Sequence, residues 1–209
     1  MDASAAPRVV AIVPVGTLEG AKSRLGATMD AEERRDFASI LARRTVAAAR
    51  ATPGVVETLV VTPDDEVREL AIELGARPIR QRRHGLNEGL REARAEALAS
   101  GAEAILIVPT DLPAVSPASL GAVIAALGVP PAVVIVPDRH GRGTNVLALA
   151  PPDVIDVCFG GDSREAHARA AARAGVSYRE LDGPLGLDVD TPDDLLLAER
   201  LVPGVLAAR

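Results

Sequence analysis

The stretch AILIVPTDLPAV, residues 104–115, decides the fold class. Its first five residues are apolar without alternation, a pattern typical of a strand that is covered on both faces of a sheet. The run then enters a short turn in which Pro109 and Pro113 flank Asp111. Because proline fixes the backbone and lacks an amide donor, this turn is expected to hold a carboxylate rigidly at the carboxyl end of a buried strand.

Further apolar segments alternate with segments of helical periodicity along the chain. Strands are predicted at residues 8–14, 56–62, 77–80, 104–108, 132–137 and 145–150. Helices are predicted at residues 30–50, 64–75, 87–101, 116–127, 163–175 and 191–201. This alternation predicts an α/β fold with a mostly parallel central sheet and helices on both faces. Ligands of such sheets bind beyond the carboxyl ends of the strands, so the residues after each strand are the candidates for a site.

Polar residues at the predicted helix starts support these assignments. Asp30 and Glu33 form a capping-box pattern. Ser116 and Thr191 each precede a proline at the first helical position, where its missing amide costs nothing. Ser163 is also interpreted as an N-cap.

The composition limits which classes of protein this chain can belong to. A chain of 209 residues fits one domain, assigned to residues 8–209 after a disordered lead-in at residues 1–7. The net charge of −6 and 1% aromatic residues argue against a polymeric nucleic acid, whose binders usually carry basic surfaces and stacking rings. No apolar run reaches the roughly 20 residues that span a bilayer, and no signal peptide is recognised. With Cys158 as the single cysteine, a cytoplasmic protein is expected.

The loop after the first predicted strand, PVGTLEGAKSRL at residues 14–25, combines glycines with two cations, Lys22 and Arg24. Backbone amides beside such cations suit a triphosphate. The loop is not a true P-loop, because Ala21 separates the glycine from the lysine. The alternative interpretation is a solvated basic loop.

A second candidate site lies in GLDVDTPDDL, residues 186–195. In an extended segment Asp188 and Asp190 face one side while Val189 faces the other. Two carboxylates this close repel each other unless a cation lies between them. A divalent cation such as Mg²⁺, shared with Asp111, would account for all three carboxylates; the alternative for Asp111 is a turn aspartate that bonds its own backbone.

A third candidate site lies in CFGGDS, residues 158–163. Gly160 and Gly161 lead into Ser163 at a helix start, where free amides and the helix dipole favour an anion. His167 follows one turn later and is interpreted as a surface residue. The alternative for Ser163 is a plain helix cap.

The remaining candidates are weaker. Asn87 is interpreted either as an N-cap or as a side chain that reads a base edge, since its amide both donates and accepts. Asp193 and Asp194 are interpreted as partners of the helix dipole without chemistry. His84 and His140 lie in loops, with no group in view to orient them as bases. The glycine-rich turn before Thr144 could be a simple hairpin connection.

The motifs AKSRL, GLNEGL, VPTDLP, PDRHGRGTN, FGGDSREAH and LGLDVDTPDDL, taken in this order, resemble the 2-phospholactate/phosphoenolpyruvate guanylyltransferases of deazaflavin coenzyme F-420 biosynthesis. The resemblance covers residues 8 to 200. It implies a Rossmann-like nucleotidyltransferase fold of the GT-A type. It also implies transfer of GMP from GTP to a three-carbon phosphorylated acid with release of pyrophosphate.

The resemblance also implies roles for single residues. Asp111, Asp188 and Asp190 would hold Mg²⁺, and Thr144, Gly160 and Ser163 would bind the phosphorylated acid. No side-chain nucleophile is expected, and Lys22 and the metal aspartates would stabilise charge. The residues expected to bind the nucleotide are Pro14, Val15, Gly16, Lys22, Arg24, Gly85 and Asn87. The family commonly carries lysine where this chain has Gly16, which leaves Lys22 and Arg24 as the main cations of the first loop.

The acceptor stays open between phosphoenolpyruvate and 2-phospho-L-lactate, and the alanine- and arginine-rich composition favours phosphoenolpyruvate. A labile product could be handed directly to the downstream transferase of coenzyme F-420 biosynthesis. Two alternatives are another nucleotidyltransferase of the same fold, such as a cytidylyltransferase, and a non-catalytic nucleotide-sensing module.

Overall fold

The computed structural model describes residues 7–205, and the expected lead-in lies outside them except for Pro7. The central sheet has seven strands in the order β3-β2-β1-β4-β6-β5-β7. The strands are β1 (Val9–Pro14), β2 (Val55–Thr62), β3 (Arg77–Arg80), β4 (Ala104–Ile107), β5 (Ala132–Pro137), β6 (Thr144–Ala150) and β7 (Ser177–Glu180). All pairings are parallel except those of β6, which runs antiparallel to β4 and to β5. The predicted mostly parallel sheet is therefore confirmed.

Six α-helices connect these strands within the described residues. They are α1 (Ala31–Ala51), α2 (Asp65–Glu73), α3 (Leu86–Ala99), α4 (Pro117–Ala126), α5 (Ser163–Ala174) and α6 (Pro192–Leu201). Short 3-10 turns lie at Ser23–Leu25 and Pro184–Gly186. No helix within residues 7–205 is both long and apolar enough to cross a bilayer.

Helices cover both faces of the sheet, as the continuous apolar strands predicted. In β1, Ala11 and Val13 join the apolar cluster formed with α1, α2 and α4, while Val10 and Ile12 join the cluster formed with α3 and α5. Every residue of this strand except the last is buried, so neither face can be left to solvent. We propose that residues 8–209 form one domain, because a single sheet takes strands from residue 9 to residue 180.

A third apolar cluster lies beyond the sheet and matters most for the site. Leu25 from the first loop and Phe37 from α1 pack there against Val189 and against Leu195 of α6. This cluster fixes the loop that carries Lys22 beside the segment that carries Asp188 and Asp190.

Three details differ from the sequence-based expectations, and the predicted capping at two helix starts is confirmed. Strand β7 was not predicted, because SYRE is a mostly exposed edge strand without an apolar run. Helix α3 begins at Leu86 with Gly85 as its N-cap, so Asn87 is not a cap. Helix α5 begins at Ser163 itself, after Asp162, whose side chain makes no capping bond. The capping boxes at Asp30 and at the start of α6 are present.

Asp64, the N-cap of α2, provides a test of how the first loop is held. One carboxylate oxygen accepts from the amides of Glu66 and Val67, and the other accepts from the amide of Leu18 at 3.1 Å. Asp64→Ala is expected to lower the free energy of unfolding by about 1–2 kcal/mol, the usual loss at an N-cap. Asp64→Asn, which keeps an acceptor, should lose far less. Urea denaturation of both variants checks this, and equal losses would contradict the assigned cap.

Candidate active site

Three aspartates converge where the carboxyl end of β4 meets the segment before α6. The amide of Val189 donates to the backbone oxygen of Asp111 at 2.9 Å, which ties the two segments together. Val189 is fully buried in the third apolar cluster, as the alternation predicted. Asp188 and Asp190 flank it and, with Asp111, line one cleft.

Lys22 lies between two of these carboxylates. Its ammonium is 3.2 Å from Asp111 Oδ2 and 3.1 Å from Asp190 Oδ1, and its side chain is only 13% exposed. Burial alone would lower the pKa of Lys22, but Asp111 and Asp190 outweigh it and hold the pKa above its usual value. Arg24 reaches Asp190 from the exposed side at 3.4 Å.

The backbone of Lys22 is as unusual as its surroundings. It is the one non-glycine residue within residues 7–205 with positive φ, at φ 51° and ψ 39°. This left-handed conformation is unfavourable for a residue with a side chain, and such strain is often found at functional sites. Lys22 is also the chain's only lysine, in a sequence that otherwise uses arginine for its basic residues.

Among residues 7–205, no cationic side chain forms an ion pair with Asp188. Burial raises the pKa of Asp188, and the charges of Asp111 and Asp190 raise it further, against hydrogen bonds that include one from Asn145. Of the three aspartates, Asp188 is thus the one whose charge is least compensated, and a cation entering the cleft would relieve it.

No preformed metal cluster is present among residues 7–205: no three His, Cys, Asp or Glu side chains are arranged to hold an ion. In place of an ion, the Lys22 ammonium lies between Asp111 and Asp190. The predicted set of three carboxylates is therefore gathered in one cleft but held by a lysine, and its role toward Mg²⁺ stays a prediction.

Two adjoining clefts lie in this region. The one lined by the three aspartates, called the second cleft, has a volume of about 510 Å³. The predicted anion-binding residues Thr144, Gly160 and Ser163 line the same cleft. Gly160 has φ 152°, a conformation that favours glycine, and a side chain added there would meet no atom within 4 Å. The backbone at Gly160 is therefore open to close approach by a ligand.

The first cleft, of about 340 Å³, adjoins the second through Leu86, which lines both. It contains Pro14, Val15, Gly16 and Gly85, four of the residues predicted to bind the nucleotide. Of the remaining three, Arg24 lines the second cleft and Lys22 contacts its aspartates. Five of the seven residues predicted to bind the nucleotide thus line one of the two adjoining clefts, and Lys22 contacts residues that line the second.

Asn87 makes backbone contacts that were not predicted from the sequence. Its amide nitrogen donates to the backbone oxygen of Phe159 at 2.9 Å, and its oxygen accepts from the Phe159 amide at 2.8 Å. This pair of bonds joins the start of α3 to the glycine loop at residues 158–161. These bonds give Asn87 a structural role, and its predicted role toward the nucleotide stays a prediction.

His167 was predicted to lie on the surface, and this prediction is wrong. It is fully buried. Its Nδ1 lies 3.1 Å from Thr144 Oγ1, and its Nε2 accepts from the Cys158 amide at 3.1 Å. Burial lowers the pKa of His167 to about 4.

Asp194 was given no chemical role, yet it is buried and anchors the aspartate segment. Its Oδ2 accepts from the amides of Asp190 and Thr191 at 3.1 and 2.7 Å, and its Oδ1 pairs with Arg139. Burial would raise the pKa of Asp194, but these hydrogen bonds and the Arg139 charge hold it below its usual value. Arg139 also lines the second cleft. The sequence did not identify it, because its role is visible only in the ion pair with Asp194, which is distant in sequence.

The comparisons with known proteins agree with this geometry. The family model described as "Guanylyl transferase CofC like" matches residues 9–204. A phosphoenolpyruvate guanylyltransferase of Rubrobacter xylanophilus is 44% identical over 192 residues, which are 91% of this chain and 93% of the relative. One from Sphaerobacter thermophilus is 43% identical over 187 residues, covering 89% of this chain and 90% of the relative.

Solved structures support the fold. A protein of Desulfovibrio desulfuricans described as a nucleotide-diphospho-sugar transferase superposes with a TM-score of 0.76 at 17% identity, covering 92% of this chain and 86% of that one. A nucleotidyl transferase of Methanothermobacter gives a TM-score of 0.67 at 19% identity, covering 93% of this chain and 98% of that one. The predicted Rossmann-like nucleotidyltransferase fold is thereby confirmed, and this chain belongs to the CofC-like guanylyl transferase family.

Proposed function

We propose that this protein transfers GMP from GTP to the phosphate of phosphoenolpyruvate and releases pyrophosphate. The observation that carries the proposal is the second cleft itself. Three aspartates, called the aspartate wall below, line it together with Thr144, Gly160 and Ser163, and two of the aspartates contact Lys22. A cleft of this kind suits two phosphorylated anions that meet, and the adjoining first cleft has room for the nucleoside.

The reaction needs no activated side-chain nucleophile. A phosphate oxygen of the acceptor, already anionic at neutral pH, forms a bond to the α-phosphorus of GTP. The bond from that phosphorus to the oxygen bridging to the β-phosphorus breaks, and pyrophosphate leaves with the electron pair. No proton has to be moved, so the reaction needs no general base. Catalysis requires that the acceptor be positioned and that charge be offset.

Local cations would offset the repulsion between the two anions. Lys22 and Arg24 lie on the aspartate wall, and Arg139 lines the same cleft. In a chain of net charge −6, these three side chains place positive charge beside the aspartates that line the cleft.

The chemistry of these residues suits Mg²⁺, although the carboxylates of residues 7–205 are not already arranged around an ion. Their donor atoms are carboxylate oxygens, the ligands that this hard cation prefers. The Lys22 ammonium already lies within 3.2 Å of two of them, and the charges of Asp111 and Asp190 raise the pKa of Asp188. Asp111, Asp188 and Asp190 would hold the metal, which when bound supplies positive charge that screens the phosphates from one another.

The choice of acceptor rests on the relatives. The proteins that match this chain at up to 44% identity are named phosphoenolpyruvate guanylyltransferases, which favours phosphoenolpyruvate over 2-phospho-L-lactate. The resemblance of the sequence motifs places the proposed activity in coenzyme F-420 biosynthesis, with the downstream transferase as the partner that would receive the product.

The direct test is a substrate panel. Purified protein with Mg²⁺ is given GTP or CTP, each with phosphoenolpyruvate, 2-phospho-L-lactate or no acceptor, and pyrophosphate is measured. We expect turnover with GTP and phosphoenolpyruvate, slower turnover with 2-phospho-L-lactate and none without acceptor. Turnover with CTP alone would favour a cytidylyltransferase, and nucleotide binding without turnover would favour a sensing module.

Asp188→Ala tests the aspartate wall. We expect pyrophosphate release to fall by roughly 100-fold or more, because the charge stabilisation at the reacting phosphates is lost. The fold should be preserved, since removing a carboxylate with a raised pKa relieves repulsion. Asp193→Ala, in the exposed first turn of α6, is the matched control and should keep full activity. An Asp188→Ala variant with normal turnover would exclude the metal role.

Lys22 can be tested with two substitutions. Lys22→Met removes the charge while keeping the length, and we expect kcat to fall by roughly 100-fold. Lys22→Arg should not restore the rate, because the planar guanidinium cannot reproduce a compact ammonium between two carboxylates. Steady-state kinetics of both variants decide this, and full activity of Lys22→Arg would show that only the charge matters.

A further inference from the structure

Both ring nitrogens of His167 are engaged inside the protein. Nε2 lies 3.1 Å from the backbone nitrogen of Cys158, and Nδ1 lies 3.1 Å from Thr144 Oγ1. The ring also packs edge-on against Phe159 with the ring centres 5.4 Å apart. His167 therefore connects β6, which carries Thr144, with the glycine loop at residues 158–161.

The partners determine where the proton of this ring lies. A backbone amide can only donate, so Nε2 must present its lone pair to Cys158. A neutral imidazole then carries its hydrogen on Nδ1, which donates to Thr144 Oγ1. Protonation of both nitrogens would set the Cys158 amide against another N–H group, and burial disfavours that charge as well.

This tautomer determines what Thr144 offers to the second cleft. Because Thr144 Oγ1 accepts from His167, its own hydrogen is free to be donated elsewhere, and Thr144 lines the cleft together with Gly160 and Ser163. With the opposite tautomer, Thr144 would donate to the ring and present only lone pairs to the cleft. An anion would be attracted in the first case and repelled in the second.

We propose that His167 is a positioning residue that fixes the Thr144 hydroxyl as a donor to an anionic oxygen of the acceptor. This rests on the proposed function and deepens it, since it assigns the acceptor's affinity to a buried group that does not touch the acceptor. The bond from Cys158 serves the same end, because it holds the glycine loop, and with it Gly160, against the same ring.

The kinetic test compares His167→Phe with His167→Asn, of which Asn can still place an amide donor near Nδ1. We expect His167→Phe to raise KM for phosphoenolpyruvate about 10- to 100-fold, the usual effect of losing a hydrogen bond to a charged group. KM for GTP should be unchanged, and His167→Asn should recover part of the loss. An unchanged KM for the acceptor in His167→Phe would overturn the proposal.

A double-mutant cycle separates positioning from simple packing. Thr144→Val removes the hydroxyl, and in that background His167→Phe should raise KM for the acceptor no further, because the group through which it acts is gone. Thr144→Ser keeps the hydroxyl, so in that background His167→Phe should again raise KM for the acceptor. Equal effects of His167→Phe with and without the hydroxyl would assign His167 a packing role only.

The tautomer can be read without any turnover. The chain has three histidines, so nitrogen NMR of histidine-labelled protein, assigned with His167→Asn, resolves the ring. We expect a protonated Nδ1 and an unprotonated Nε2 at pH 7, and the same at pH 5. The opposite tautomer, or a doubly protonated ring at pH 7, would overturn the proposal even in an active enzyme. The expected tautomer in a protein without turnover on any acceptor would instead count against the proposed function.

Discussion

The repulsion among Asp111, Asp188 and Asp190 is the constraint on which the site depends. Such charges do not gather at the rim of a sheet unless something offsets them. Here the offset is one ammonium, Lys22, held by a left-handed backbone and by an apolar cluster that binds the first loop to the Asp188–Asp190 segment. A cation is thus part of the folded structure before any substrate arrives, and the strain at Lys22 is offset by its two carboxylate contacts.

Two groups of residues in the second cleft handle charge by different means. The aspartate wall has full charges close together, whereas Thr144, Gly160 and Ser163 offer hydroxyl and backbone groups. The first arrangement suits an entering cation, and the second suits a compact anion. Placing both across about 510 Å³ allows an acidic protein to bring two anions together without a basic surface.

The sequence predicted the parts of this site that follow from local pattern. The apolar run before Pro109 identified a buried strand, and the alternation around Val189 placed two aspartates on one side of it. Two contacts were not predicted because their partners are distant in sequence: Asn87 bonds Phe159, 72 residues away, and Arg139 pairs with Asp194. Strand β7 was missed because an exposed edge strand has no apolar run to reveal it.

The burial of His167 is the clearest feature that the sequence pattern did not predict. The buried face of α5 consists of Ser163, His167 and Ala171, at the correct helical spacing but without a large apolar residue. A face built from such residues has no hydrophobic signature, so His167 was wrongly predicted to lie on the surface. Among the described residues nine polar or charged ones are buried, and five of them lie at or against the second cleft: Thr144, Asn145, Ser163, His167 and Asp194. Burying a polar group costs free energy unless its hydrogen bonds are made, so these positions are best understood as selected for the cleft, with the fold stabilised elsewhere.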